Sequence, residues 1–207
     1  MIWPYRLLEP KLQALRRRPY SLLDLYLFSV YMFLASVLVG ALFHPLLTKP
    51  AYILLLEPTI KGVNALSQSA NGLPDAAAQS LAIFAKNFTA VAATLVFARR
   101  TRGISVGALL VVNGLLIGAL LTRLAVGTYS PGLLAAGFLT HGVLELAGVL
   151  LGATLGLRLL LATQENLTQC KARSLHLLGL VVAPTLFVGA LIESNVTPKL
   201  LEYLGYL

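Results

Sequence analysis

The sequence predicts an all-α fold, a polytopic transmembrane helix bundle of about five spans. The 207-residue chain is 57% hydrophobic and only 12% charged, whereas a soluble domain carries roughly 25% charged residues. Its mean hydropathy is +0.81, and the apolar residues gather in runs long enough for helices that need about 20 residues to cross a membrane. A strongly uneven distribution of Lys and Arg, described below, is the third observation.

Five apolar stretches are predicted to span the membrane, within one transmembrane domain of residues 21–207. Residues 1–20 are basic, with leucines at helical spacing, and predict an interfacial helix on the inner leaflet rather than a cleaved signal peptide. Residues 48–78 contain three prolines and two glycines and predict an extracytoplasmic loop, and the tail 195–207 is expected along the outer surface. The predicted spans are residues 22–47, 77–98, 104–126, 133–162 and 174–194.

The basic residues predict the orientation. Eleven of the sixteen Lys and Arg residues lie on one side of the predicted membrane, and three lie on the other. Because cytoplasmic loops carry the excess of Lys and Arg, we expect the N-terminus inside, the C-terminus outside and a multi-pass location in the cell membrane. The eleven are Arg6, Lys11, Arg16, Arg17, Arg18, Arg99, Arg100, Arg102, Arg158, Lys171 and Arg173.

Several classes of function are disfavoured by the same sequence. The net charge of +8 is explained by topology, and no soluble basic domain with interleaved aromatic residues indicates nucleic-acid binding. Cys170 is the one cysteine, so no intrachain disulfide forms. No nucleotide-binding loop or soluble catalytic motif is present, and we assign no catalytic residue, cofactor or metal. The expected partners are the lipid bilayer, other membrane or envelope proteins, and a second copy of this chain.

Seven of the polar or charged residues inside the predicted spans are informative, because such groups are expensive there and usually face the bundle interior. Five of them fall in the outer half of the membrane, which predicts a polar cluster that opens, if at all, to the outside. Asn87, Asn113, His141, Glu145 and Glu193 form the predicted cluster, and Lys86 and Arg123 are its possible charge partners.

His141 and Glu145 lie four residues apart, so they share one face of a helix. We favour a structural hydrogen-bonded pair, and two alternatives stay open. The first is a proton or ion site, because a carboxylate without water can carry a proton or neutralise a cation. The second is a catalytic or metal site, in which imidazole and carboxylate converge on one ion.

Glycines at four-residue spacing predict close helix packing. Such glycines let helix backbones approach each other in lipid, so we expect the third and fourth spans to be interior helices. The residues after Glu145 on the fourth span are almost wholly apolar, which argues against a channel through the bundle. The glycines are Gly114, Gly118, Gly148, Gly152 and Gly156.

Four motifs carry a resemblance to a known family. The chain has Asn87 followed by Phe-Thr, then Asn113-Gly114 with Gly118, then His141-Gly142 with Glu145, then Glu193 before Thr197-Pro198. This arrangement, over about residues 80–198, resembles the stage II sporulation protein M family. One departure is Thr140, which stands where that family usually has proline.

The resemblance implies a membrane anchor rather than a defined chemistry. Sporulating members look like anchors for a complex that remodels cell-wall peptidoglycan, and many relatives occur in organisms that do not sporulate. The function that we predict is therefore a membrane scaffold or assembly partner in an envelope complex. The alternative is a transporter or intramembrane enzyme that uses the buried His/Glu/Asn cluster on an ion, lipid or small molecule.

Overall fold

A computed structural model of the protein describes residues 20–43, 75–125 and 131–205, which form helices and short turns. The helices, in chain order, are α1 (Leu22–Phe43), α2 (Asp75–Phe97), α3 (Ile104–Ala125), α4 (Pro131–Leu134), α5 (Thr140–Leu161), α6 (Leu167–Leu177), α7 (Ala183–Asn195) and α8 (Thr197–Tyr203). Five helical stretches are long and apolar enough to cross a membrane, so the predicted fold class is confirmed.

Two predicted regions fall mostly outside the described residues. The interfacial helix of residues 1–20 is described only at Tyr20, and the loop of residues 48–78 is described only at its end. That end is already helical, because α2 begins at Asp75. The orientation of the termini stays a prediction.

The start of α1 is fixed by a reciprocal cap. The Asp24 carboxylate accepts hydrogen bonds from the Ser21 amide at 2.8 Å and from the Ser21 hydroxyl at 2.7 Å. The Asp24 amide in turn donates to the Ser21 hydroxyl at 3.1 Å. Such a pair supplies partners for amides that the first turn of a helix leaves unpaired, so α1 begins where the sequence expects a span to begin.

The fourth and fifth spans each contain a π-helical turn. The turn Ala135–Leu139 joins α4 to α5, and the turn Leu178–Val182 joins α6 to α7. The fifth span therefore runs from Leu167, several residues before its predicted start, and α8 continues it after a break at Val196. π-helical turns are rare in proteins, and those that occur are often found near functional sites.

Helix α5 is the interior helix of the bundle and packs against α1, α2, α3 and α7. Three of its glycines each face a side chain of a neighbour: Gly148 faces Leu186, Gly152 faces Val91 and Gly156 faces Val106. In these places a Cβ atom would collide with the partner, so the missing side chain sets how closely the helices approach.

Helix α3 is less interior than its glycines suggest. Its span is 33% buried, the same as that of α2, whereas the span of α5 is 61% buried. Gly114 and Gly118 face the backbone of α1 near Phe33 and Val37, and Gly40 of α1 faces Leu115 in return. Gly114 and Gly118 of α3 therefore allow close packing against one helix, α1. The glycines of α5 allow close packing against three helices, α2, α3 and α7.

Candidate functional site

The polar residues of three different helices meet at one level of the bundle. Helix α2 contributes Asn87, α5 contributes His141 and Glu145, and α7 contributes Glu193. The Asn87 side-chain amide donates a hydrogen bond of 2.5 Å to the Glu145 carboxylate. This bond ties α2 to α5 across 58 residues of sequence.

His141, Glu145 and Glu193 converge on a common point, and we call them the carboxylate–imidazole cluster. One nitrogen of His141 and one carboxylate oxygen from each glutamate lie within 4.8 Å of one another. The Glu193 carboxylate interacts electrostatically with both His141 and Glu145. Two carboxylates this close repel each other in a medium that water does not enter, unless a proton or cation lies between them.

Hydrogen bonds from outside the cluster hold His141. Its Nδ1 lies 3.3 Å from the Thr197 hydroxyl, which also lies 3.0 Å from the Thr140 hydroxyl. His141 is buried, and the Phe138 ring meets its imidazole edge to face at 6.2 Å. The expected hydrogen-bonded pair of His141 and Glu145 is therefore replaced by two separate pairs, His141 with Thr197 and Glu145 with Asn87.

A glycine of α7 makes room for the Glu145 side chain. A Cβ atom at Gly189 would lie 3.1 Å from the Glu145 Cγ. That distance is shorter than ordinary van der Waals contact, so a larger residue would push the carboxylate away from Glu193. Gly189 thus supports the cluster without touching its polar atoms.

A cavity of about 150 Å³ borders Glu145. Its polar lining is Asn87, Asn113 and Glu145, and the rest of its wall is apolar or glycine. Liquid water occupies about 30 Å³ per molecule, so the volume suits a few waters. His141 and Glu193 do not line this cavity. Glu145 is therefore the member of the carboxylate–imidazole cluster that faces the cavity.

The remaining predicted site residues lie further from the cluster. The Asn113 amide donates to the Leu109 carbonyl of its own helix at 2.7 Å, so it faces the cavity without bonding to Glu145. The Lys86 side chain is exposed on α2 and acts on Glu145 only electrostatically. The side chain of Arg123 lies outside the described part of the chain.

Sequence reasoning missed a group of small polar residues beside the site. The hydroxyls of Ser80 and Ser194 lie 2.5 Å apart, and the Asn195 amide donates to both of them. These contacts join the start of α2 to the end of α7. The sequence did contain an indication of these contacts. Small hydroxyl residues near the ends of apolar helices often form hydrogen bonds between helices in lipid.

The arrangement has the chemistry of a small cation site. An imidazole nitrogen and carboxylate oxygens are ligands that Zn²⁺ and similar divalent ions accept, and the same groups carry protons in membrane proteins. Ligand atoms on one tetrahedral zinc ion lie about 3.3 Å apart, given bonds of about 2 Å. The three ligand atoms lie within 4.8 Å of one another, which suits a water-bridged ion, whereas a directly bound metal would require the side chains to move closer together.

Comparisons with known proteins address the family. No curated protein and no solved structure matches the chain. The family model described as Stage II sporulation protein M matches residues 28–198, which is most of the chain and includes every residue of the site. This chain therefore belongs to the stage II sporulation protein M family.

Proposed function

We propose that the protein is a membrane scaffold or assembly partner in an envelope complex. The observation that carries the proposal is the closed inner half of α5. The cavity at Glu145 extends along α5 to Val149, and beyond it the residues from Leu150 to Leu160 are nearly all buried. A largely buried, mostly apolar helix suits a body that holds partners, whereas a transport route needs polar or hydrated surface along its length.

The polar contacts of the outer half support the same proposal. The pairs Asn87–Glu145, Ser80–Ser194 and His141–Thr197 each join different helices. In lipid, such hydrogen bonds specify which helix faces meet. The family match adds that the family is described by a stage of sporulation. Residues 1–20 and 48–78 are our candidate contact surfaces for partners, and they lie almost wholly outside the described residues.

The experiment compares a packing variant with a cluster variant in cells that lack the native gene. Gly152→Leu forces a side chain into Val91 and should prevent folding, so that neither the protein nor its assembly accumulates in the membrane. Glu145→Gln keeps the size and an amide partner for Asn87, so abundance and native-gel assembly size should stay near wild type. A Glu145→Gln protein that assembles normally but fails to complement would overturn the scaffold proposal.

A second function is favoured by one specific observation, the convergence of three ligand atoms within 4.8 Å. This geometry supports cation or proton binding at the carboxylate–imidazole cluster, which a transporter or an intramembrane enzyme would use. Purified protein in detergent should then bind Zn²⁺ or Mn²⁺ with one-to-one stoichiometry in titration calorimetry, and Glu193→Gln should weaken binding at least about tenfold, because it removes a charged ligand. Glu202→Gln, an exposed carboxylate on α8, is the matched control. Equal binding by both variants would remove this candidate.

A further inference from the structure

One nitrogen of a half-buried guanidinium at the opposite end of α5 lacks an acceptor among the described residues. The Nη1 atom of Arg158, in the last turn of α5, is inaccessible to solvent and has no hydrogen-bond partner among the described residues. A buried charged donor without a partner costs more free energy than most single contacts provide. An anion bound at this site would supply the missing acceptor.

A cavity of about 240 Å³ lies at this guanidinium. Its lining combines two cationic side chains, Arg158 and Arg173, with Tyr20, Leu22 and Leu25. None of these described lining residues is acidic. The nearest acid along α1, Asp24, already accepts two hydrogen bonds from Ser21.

The cavity lies at the end of the bundle where lipid headgroups meet the spans. It is lined by residues from the start of α1, the last turn of α5 and the middle of α6. This is the end that the positive-inside bias places in the cytoplasm. The cytoplasmic leaflet carries anionic lipids, and basic pockets between helices on that side suit their headgroups.

We propose that Arg158 and Arg173 bind the phosphate of an anionic phospholipid, such as phosphatidylglycerol, from the same leaflet. The planar guanidinium of Arg158 presents paired N–H groups that match two phosphate oxygens, and Arg173 supplies a second charge. Leu22 lines the same cavity and is partly exposed, so it offers an apolar contact for an acyl chain. Two cations and no carboxylate among the described lining residues favour a lipid with net negative charge over a zwitterionic one.

The test measures thermal unfolding of the full chain in detergent with added phosphatidylglycerol or phosphatidylcholine. A ligand that binds only the folded state raises the midpoint with its concentration, so phosphatidylglycerol should add roughly 5 °C and phosphatidylcholine almost nothing. The double variant Arg158→Gln/Arg173→Gln should lose this increment. Native mass spectrometry should show one retained phosphatidylglycerol on the wild type and none on the variant.

The matched control is Arg100→Gln/Lys171→Gln, which removes the same charge near the same end of the bundle but lines a different groove. An equal loss in this control would show a diffuse surface effect and overturn the proposal. Inorganic phosphate that reproduces the increment in phosphatidylcholine would overturn the lipid assignment. If the double variant does not fold, Arg158→Lys should fold and lose most of the increment, because it keeps the charge but not the paired donors.

Glu9 provides a last check, because it is the one acidic residue of segment 1–19. Glu9→Gln should leave both the lipid-free midpoint and the increment unchanged. A lipid-free midpoint that falls in Glu9→Gln, and falls no further when Arg158→Gln is added, would identify Glu9 as the partner of Arg158, and the lipid site would be rejected.

Discussion

The two halves of α5 differ in what they contact. From His141 to Glu145, the helix meets its neighbours through an imidazole, a carboxylate and a small cavity. From Gly148 to Gly156, it meets them through glycines that have no room for a Cβ atom. One helix therefore combines a polar N-terminal half with a tightly packed C-terminal half.

The difference separates two sources of helix specificity in a membrane. Lipid tails are as apolar as leucine, so burying apolar side chains does not by itself choose a partner. The glycine contacts choose partners by shape, because a glycine fits only where a particular ridge approaches it. The polar contacts choose partners by hydrogen bonds that lipid cannot provide. The following predictions measure each source in turn.

The largest effect is expected where a glycine meets backbone. Gly118→Ala places a Cβ atom against the Val37 carbonyl of α1, which cannot rotate away as a side chain can. We expect a loss of about 2 kcal/mol in the free energy of unfolding, measured by SDS titration in mixed micelles. Gly107→Ala is the control on the same helix, because nothing lies within 4 Å of its added Cβ. Equal losses in the two variants would show that the α1–α3 pair is not set by shape.

An intermediate effect is expected at the hydrogen bond to Glu145. Asn87→Leu removes the donor and leaves the carboxylate without its partner from α2, which should cost about 1.5 kcal/mol in the same assay. Asn113→Leu borders the same cavity but breaks only a bond to its own helix, so it should cost less than about 0.5 kcal/mol. A reversed order would contradict the assignment of Asn87 as the partner of Glu145.

The smallest effect is expected at the serine pair. A double-mutant cycle of Ser80→Ala and Ser194→Ala should give a coupling of about 0.6 kcal/mol, the average for hydrogen bonds between helices in a membrane protein. Ser80→Ala with Thr185→Ala should give no coupling, because Thr185 bonds to its own helix at Val181. Coupling in the second cycle alone would show that α2 and α7 are not held together by the serine contact.

The sequence was sufficient for the fold class because the bilayer leaves few alternatives. A span must be helical and about 20 residues long, so hydropathy alone located the five helical stretches. The family could also be predicted from the sequence, since the motifs around Asn87, Asn113, His141 and Glu193 are all present in this chain.

The hydrogen-bond partners of the site residues could not be predicted from the sequence in the same way. Position along a span gives the depth of a residue but not the direction in which it faces. Asn87 and Asn113 both reach the cavity, yet only Asn87 bonds to Glu145, and that choice depends on how α2 and α3 rotate against α5. The exposure of Lys86 and the contact of Thr197 with His141 depend on the same rotations.

The π-helical turn Ala135–Leu139 has a consequence for how this span tolerates insertions and deletions. A π turn carries one residue more than an α-helical turn, and each residue of an α-helix advances the chain by about 100° around the axis. Because the π turn already accommodates the extra residue, deleting one residue within Ala135–Leu139 would restore an α-helix there and keep both Pro131–Leu134 and the pair His141 and Glu145 near their present faces. Deleting one residue between Glu145 and Gly148 would instead put the two halves of α5 out of register.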